Sequence, residues 1–356
     1  MVLSHRQRWI AGDCVMRTPS GTAARRRTWS DFGDVRRMPS EYEIVTHNTN
    51  WTLRKGRASA LEASPSSPAN LWFLTYRDRS PLHVEDWNGF RDPDEITYRR
   101  YVKMQDEQEM VVCGLLEKYA DAGHDKTHSP GWRSCLARLF APARYSAHAM
   151  QMAYAYLAHM APSSYIANCA AFAAADMLRR VSLTAYRTRE LQRTWPEDGF
   201  GAAERAIWET EPGWQEARKA LELSLIAYDW AECFTAINLV LRPSIEHVLD
   251  RELRELARRN GDEQTWLLLS NLSLDSERCD RWSAALARFA IDKGAGNRDV
   301  FRWWIAKWAP RADSAIAALA NVMCGLATNS RPKGEIASAA RSRRESLLRL
   351  SGIQHD

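Results

Sequence analysis

Apolar positions from residue 92 onward recur with a helical rather than a strand period. A helix is expected to run from this region to about Asp121, with apolar positions that include Ile96, Tyr98, Val102, Met104, Val111, Leu115 and Leu116. No alternating segment of useful length, as expected for a half-buried strand, follows residue 92. The pattern therefore predicts an all-α fold whose helices are long enough to form a bundle.

Capping residues and helix breakers divide this region. Asp92-Pro93-Asp94-Glu95 has an N-cap carboxylate followed by a proline, which predicts a helix start there and an end near Asp121. One helix is expected from Gly131 through a bend near Pro142 to Met160, and the next from the cap Pro162-Ser163-Ser164 to Arg193. A long helix is expected from Trp214 through Phe234, with a kink or an end at Pro243. The remaining helices are expected over about 263–293, 298–327 and 334–350.

Residues 26–91 follow neither period and are rich in Pro, Ser, Asn and Trp. The segment is too aromatic for a disordered linker, so we expect an extended arm that anchors on a partner subunit or on its own domain. The expected organisation is a disordered extension over 1–25, this arm over 26–91, a helical domain over 92–327, and a C-terminal helix and tail over 328–356.

Composition and charge exclude several classes of protein. The chain is 45% hydrophobic and 26% charged with a net charge of +5, and its basic clusters at Arg25–Arg27 and Arg341–Arg344 lie near the ends, which argues against a nucleic-acid site. None of the seven cysteines forms a C-x-x-C pair, which is typical of reduced thiols in the cytoplasm. The uncharged stretch between Arg144 and Asp176 is Ala-rich and interrupted by Pro162, which predicts two packed helices rather than a membrane span.

Two predicted helices carry the same incomplete metal-binding frame, D-E-x-R-H. Residues 176–180 read DMLRR and residues 275–279 read DSERC. In di-iron bundles, a Glu and a His three positions apart on one helix face bind the metal. Both ligands are replaced in each frame. The degenerate ligand positions are Met177, Arg180, Ser276 and Cys279.

The rest of the chain does not restore such a site. None of the nine histidines follows a Glu by three positions, and no Glu occurs between Glu117 and Glu190. The pairs Asp121/His124 and Asp125/His128 have the spacing, but they lie in the polar stretch AGHDKTHSP and are expected to be exposed. The Asp and Arg inside each frame could form a buried ion pair or an ordinary pair on a solvated helix face, and the residues alone leave both open.

Several long segments resemble one family. They are RTWSDF at 27–32, PSEYEIV at 39–45, SPANLWFLTYRDRSPL at 67–82, WNGFRDPDEITYRRYVKMQDEQE at 87–109, LTAYRTRELQRTWP at 183–196, EPGWQEAR at 211–218, YDWAECFTAINLVLRP at 228–243 and DSERCDRWSAALARFA at 275–290. They are similar to the β subunit of the hydroxylase component of bacterial multicomponent di-iron monooxygenases, especially the toluene, alkene and isoprene branch. The likeness covers about residues 26–325.

The resemblance implies a ferritin-like helical bundle in a non-catalytic, structural β subunit. It implies an α₂β₂γ₂ hydroxylase in the cytoplasm that works with a regulatory protein, a Rieske ferredoxin and an NADH reductase. That system inserts one oxygen atom from O₂ into a hydrocarbon. The di-iron centre is expected on the α subunit, with no cofactor on this chain and no nucleic-acid or membrane partner. The expected interface residues are Trp29, Tyr42, Trp72, Tyr76, Trp87, His148, Met152 and Tyr156.

Two other functions remain open from the residues. The chain could be an enzyme with its own metal site, built from Asp121, His124, Asp125 and His128 or from Asp176 and Glu232. It could also be an electrostatic binding module that uses its Arg-rich ends. No nucleophile or phosphate-binding motif occurs, so no catalytic residue is predicted. An obligate subunit of this kind is expected to aggregate when it is expressed alone.

Overall fold

The computed structural model describes residues 38–47, 68–327 and 329–354. The chain divides into two compact units, Met1–Ser40 and Glu41–Asp356, and the helices described here belong to the second. Every regular element in the described ranges is a helix, so the all-α prediction is confirmed. Residues 1–25, expected to be disordered, and Trp29 lie outside the described part.

The α-helices are numbered in chain order. The first seven are α1 Glu41–Thr46, α2 Pro68–Phe73, α3 Tyr98–Asp121, α4 Pro130–Cys135, α5 Ala143–Met160, α6 Ser164–Thr194 and α7 Glu204–Thr210. The next seven are α8 Pro212–Ser224, α9 Trp230–Phe234, α10 Arg242–Glu246, α11 Leu253–Arg259, α12 Glu263–Lys293, α13 Asn297–Leu326 and α14 Lys333–Leu350. π-Helical segments Thr235–Leu241 and His247–Glu252 join α9, α10 and α11 into one continuous rod, called the α9–α11 rod below.

Helix α3 begins five residues later than predicted. The side chain of Asp92 accepts hydrogen bonds from the backbone N–H groups of Asp94 and Ile96, and Glu95 adopts a positive φ of 47°, which a helix does not allow. Thr97 is the N-cap instead, and its hydroxyl accepts from the backbone N–H of Arg100 at 3.2 Å. The predicted end at Asp121 is confirmed.

The predicted long helix from Trp214 through Phe234 is interrupted. Helix α8 ends at Ser224, and a new helix begins after Asp229, whose side chain caps it by accepting from the backbone N–H groups of Ala231 and Glu232. The helix then runs through Pro243 without ending. A π-helical segment lies on each side of Pro243, and such wider turns accommodate a residue that has no N–H to donate.

The uncharged stretch folds as the antiparallel neighbours α5 and α6, as predicted. Small side chains such as Ala153 and Ala170 are fully buried, which lets the two backbones approach closely. Ser163 caps α6 by accepting from the backbone N–H of Ile166. None of the described helices combines the length and the apolar character needed to cross a membrane.

The segment predicted as an extended arm differs from that expectation where it is described. Residues 68–78 form α2 and a π-helical turn, and Trp87 lies in a short 3₁₀ helix. Trp87 packs edge-on against the buried Trp230 of the α9–α11 rod, with ring centroids 4.9 Å apart. This part of the segment therefore anchors on its own bundle, which was one of the two alternatives left open by the sequence.

Candidate functional site

The two degenerate frames face each other across α6 and α12. Arg278 of α12 pairs with Asp176 of α6 at 2.5 Å, and Arg179 of α6 pairs with Asp275 of α12 at 2.9 Å. Arg278 also pairs with Asp275 of its own frame at 3.2 Å. All four side chains are at most 8% exposed, so the alternative of solvated helix faces is wrong. The ion pairs are buried and mainly join one helix to the other.

Helix α3 completes the hydrogen bonding of these carboxylates. The amide of Gln105 donates to Asp176 at 3.0 Å and to Asp275 at 2.9 Å. The hydroxyl of Tyr101 donates to Asp176 at 2.8 Å, and its ring stacks on Phe172 of α6 at 4.4 Å. The network therefore fastens three helices together, and it gives each buried carboxylate several donors.

Burial raises the pKa of Asp176 above its ordinary value, and the negative charge of Asp275 raises it further against the opposing effect of Arg278. Burial likewise raises the pKa of Tyr101, and the neighbouring Asp176 adds to that rise. Asp176 is therefore protonated more readily on acidification than an ordinary aspartate.

The degenerate ligand positions have partners of their own. Arg180 pairs with Asp250 of the α9–α11 rod and donates to the hydroxyl of Ser276 at 3.1 Å. Met177 is 2% exposed and packs in the hydrophobic core. The buried guanidinium therefore lies between the two frames, where a di-iron protein would place metal ligands.

Cys279 fills the remaining position. Its Sγ lies 3.3 Å from the hydroxyl of Tyr154 of α5 and accepts from the amide of Asn238 at 3.7 Å. Burial raises the pKa of the Cys279 thiol, which keeps it protonated and a poor metal ligand. A thioether, a guanidinium, a hydroxyl and a thiol replace two carboxylates and two imidazoles, so these residues do not fit a di-iron centre.

The charge network continues into the α9–α11 rod. Arg242, which is 1% exposed, pairs with Glu246 at 2.9 Å and with Asp280 of α12 at 2.5 Å. Asp280 also pairs with Arg343 of α14. Arg242 was not among the predicted site residues, although it is a lone charge in the apolar run AINLVLRP, which is a usable signal of a buried ion pair.

Three of the predicted interface residues meet in an aromatic cluster, formed by Trp72, Tyr76, Tyr156 and Tyr228. The indole N–H of Trp72 donates to the hydroxyl of Tyr156 at 3.0 Å, and that hydroxyl donates to the backbone oxygen of Tyr228 at 2.5 Å. Trp72 is 36% exposed and Tyr228 is 38% exposed, so the cluster keeps an apolar surface in contact with solvent.

The other predicted interface residues are divided between surface and interior. His148 and Met152 are exposed, and they lie two turns and one turn, respectively, before Tyr156 on the same face of α5. Tyr42 is only 3% exposed and packs against Tyr165, so it is an internal anchor of α1. Trp87 is half-buried against Trp230, as described above.

The expectation that His124 and His128 are exposed is wrong. His128 is 5% exposed and Asp125 is 9% exposed, because the guanidinium of Arg187 from α6 binds both oxygens of Asp125 and the loop folds over that ion pair. Tertiary packing, which the polar composition of the loop did not reveal, buries these residues. The other candidate metal pair from the sequence was Asp176 and Glu232. In the structure, Glu232 instead pairs with Lys307 and accepts a hydrogen bond from the indole N–H of Trp308, both on α13.

The chain is similar in sequence to known proteins. A family model described as methane/phenol/alkene hydroxylase matches residues 72–294. The chain is 42% identical over 297 residues to the hydroxylase component subunit beta of the toluene-4-monooxygenase system of Ectopseudomonas mendocina, covering 83% of this chain and 90% of that one.

Two solved structures are similar to this chain in fold. One chain of toluene 4-monooxygenase, with toluene bound in its resting active site, matches with a TM-score of 0.78 and 41% identity, covering 86% of this chain and all of that one. A chain of xenon-pressurised phenol hydroxylase from Pseudomonas sp. OX1 has the same TM-score at 18% identity over 95% of this chain and 98% of that one, which supports the fold alone. The expected ferritin-like fold is confirmed, and the chain belongs to the methane/phenol/alkene hydroxylase family.

Proposed function

We propose that this chain is the structural β subunit of the hydroxylase component of a multicomponent monooxygenase. The observation that carries the proposal is its 42% identity, over 83% of its length, to a hydroxylase β subunit. The guanidinium of Arg180, paired with Asp250 between the two frames, supports a non-catalytic role because it occupies space where a di-iron bundle needs ligands.

The proposed complex is an NADH-dependent oxidoreductase that inserts one oxygen atom from O₂ into an aromatic hydrocarbon, an alkene or isoprene. In this proposal, the di-iron centre lies in an α subunit, and the hydroxylase is an α₂β₂γ₂ assembly in the cytoplasm. A regulatory protein, a Rieske ferredoxin and an NADH reductase complete the system. This chain contributes a rigid, ion-paired bundle against which the α subunit packs.

We further propose that the α subunit docks on the aromatic cluster and the adjoining face of α5. Trp72, Tyr156 and Tyr228 present rigid aromatic surface, and Met152 and His148 extend it along the helix. Aromatic and Met side chains are enriched at subunit interfaces, and obligate interfaces resemble protein cores. Similarity to a subunit of a hydroxylase component supports another subunit of that component as the partner.

Co-purification tests the docking surface. Met152→Glu places a charge on the proposed interface and should greatly reduce recovery of this chain with an affinity-tagged α subunit. Leu350→Glu is the matched control, since Leu350 is 57% exposed at the end of α14 and should tolerate a charge. Equal recovery of the two variants would refute this surface as the interface.

Iron analysis tests which subunit holds the di-iron centre. After the subunits of the purified hydroxylase are separated, iron should be found with the α subunit, and this chain should bind no iron pair at its frames. Two iron atoms retained by this chain, or hydrocarbon oxidation by this chain alone, would overturn the proposal and favour the alternative of an independent metal enzyme.

A further inference from the structure

A second group of metal-ligating side chains lies away from the frames. His124 and His128 come from the connection between α3 and α4, and Asp262 immediately precedes α12. One ligand atom from each lies within 4.8 Å of the other two. Asp262 is fully buried, and His128 is 5% exposed, whereas His124 has 15% of its side chain exposed. We call these three residues the His–Asp cluster.

The distances in the His–Asp cluster are longer than good hydrogen bonds. His124 Nε2 lies 3.6 Å from Asp262 Oδ1, and His128 Nε2 lies 3.4 Å from Asp262 Oδ2. Within the described residues, neither Nε2 atom makes a hydrogen bond, although both are buried. In a tetrahedral zinc site with metal–ligand bonds of about 2.0–2.1 Å, neighbouring ligand atoms are about 3.3–3.4 Å apart. The two measured distances end on different oxygens of Asp262, and one ligand atom from each of the three residues lies within 4.8 Å of the others, which is close enough for the three to converge on one ion.

Several buried or partly buried carboxylates lie close to the His–Asp cluster. Three carboxylates, those of Asp125, Asp262 and Glu190, surround the single guanidinium of Arg187, which is fully buried. The carboxylates carry more negative charge than the guanidinium offsets. Buried excess charge is costly, and a divalent cation bound at the cluster would compensate it.

The neighbouring residues hold the acidic ligands in place. The indole N–H of Trp132 donates to Asp262 Oδ2 at 3.0 Å, and the backbone N–H of Thr265 donates to Asp262 Oδ1 at 2.9 Å. Asp125 is held by Arg187, and its Oδ1 lies 3.3 Å from His128 Nε2. Such outer hydrogen bonds orient ligating groups in protein metal sites. The partly exposed His124 leaves a route for an ion from solvent.

We propose that His124, His128 and Asp262 bind one divalent transition-metal ion, with zinc as the ion that fits best. Two imidazoles and one carboxylate are ligands that zinc accepts, and water or Asp125 completes a tetrahedral shell. The ion joins the α3–α4 connection to the start of α12, so its role is structural. This revises the expectation that the chain carries no metal. The proposed site is separate from the degenerate frames, and the inference does not depend on the proposed function.

Cobalt binding to the metal-depleted hydroxylase complex tests the proposal. Wild-type protein should bind about one Co²⁺ per copy of this chain with the visible absorption of tetrahedral Co²⁺, in addition to any bound by partner subunits, and Zn²⁺ should displace it. His124→Gln should lose that ion. His83→Gln is the matched control, because His83 is exposed and lies outside the cluster. Equal Co²⁺ binding by wild type, His124→Gln and His83→Gln would overturn the site.

Two measurements keep the test decisive if His124→Gln does not fold. Trp132→Phe preserves an aromatic side chain in the core but removes a donor to Asp262, and it should weaken Zn²⁺ binding about ten-fold. In wild-type protein, Zn²⁺ should raise the melting temperature after chelation, since a ligand that binds only the folded state stabilises it. A depleted wild-type complex whose melting temperature does not respond to Zn²⁺ would refute the proposal.

Discussion

Arg278 of α12 donates a hydrogen bond of 2.5 Å to Asp176 of α6, although each of these residues has a possible ion-pair partner in its own frame. Arg179 makes the reciprocal contact with Asp275 at 2.9 Å. The Asp and Arg of the two frames thus hold α6 and α12 together by ion pairs. The ligand positions are occupied by Met177, Arg180, Ser276 and Cys279. Packing between helices gives the frames a structural role that does not require iron.

The ion pairs between α6 and α12 predict that Asp176 and Arg278 are strongly coupled in their effect on stability. Arg278→Leu should destabilise the hydroxylase by about 3–5 kcal/mol, because it leaves two buried carboxylates with less positive charge nearby. Asp176→Leu/Arg278→Leu should cost less than the sum of the two single variants. Denaturant unfolding measures these values.

Arg281→Leu is the control for that experiment. Arg281 pairs with Asp94, but its side chain is 51% exposed, so its removal should cost less than about 1 kcal/mol. Equal losses for Arg278→Leu and Arg281→Leu would contradict the role of the buried network.

The raised pKa of Asp176 predicts a pH-dependent stability difference. Because burial and Asp275 raise this pKa above the ordinary value of 3.8, the folded chain binds the proton more tightly than the unfolded chain does. The contribution of Asp176 to stability is thus greatest below pH 3.8 and is lost as pH rises through the folded pKa. Asp176→Asn does not titrate, so its stability relative to wild type should increase as pH rises in that window.

Melting temperatures of wild type and Asp176→Asn, measured over this acidic to neutral range, provide the test. A difference that does not change with pH would mean that Asp176 has similar proton affinity in both states. Asp94→Asn is a useful control, because Asp94 is half-buried at the edge of the bundle and pairs with the exposed Arg281.

Restoring the four ligands should not restore an iron site. A variant with Met177→Glu, Arg180→His, Ser276→Glu and Cys279→His should purify without two iron atoms per chain. The substitution at Arg180 deprives Asp250 of its paired cation. Tyr154 and Asn238 also face Cys279, where a di-iron bundle needs carboxylates from other helices. Iron content is the measurement, and two bound iron atoms would refute the prediction.

Cysteine reactivity should follow burial. Burial raises the pKa of Cys135 and of Cys233 to about 12, and Cys279 is also buried with a raised pKa. Cys113 lies exposed on α3. An alkylating reagent followed by peptide mass spectrometry should therefore label Cys113 in folded protein before these three, which should react only after unfolding. Early labelling of Cys279 would contradict its buried position.

Local sequence signals determined most helices and the loss of the ligands. The apolar period predicted the long helices, and the cap at Ser163 and the end at Asp121 were placed correctly because they depend on side chains next to the backbone they cap. The frames could be identified as degenerate by composition alone, since a residue without a carboxylate or imidazole cannot become such a ligand by folding.

Only the tertiary structure decided which charged residues meet. The spacing inside each frame allowed a local Asp–Arg pair, but the approach of α6 and α12 paired Arg179 with Asp275 and Arg278 with Asp176, while Arg278 kept a longer contact of 3.2 Å with Asp275. In the same way, Arg187 buried a loop whose polar residues predicted exposure. Ion pairing and burial depend on distances between segments far apart in the chain, whereas helix period and capping depend on neighbours, and for this reason the sequence determined the elements and the fold determined the site.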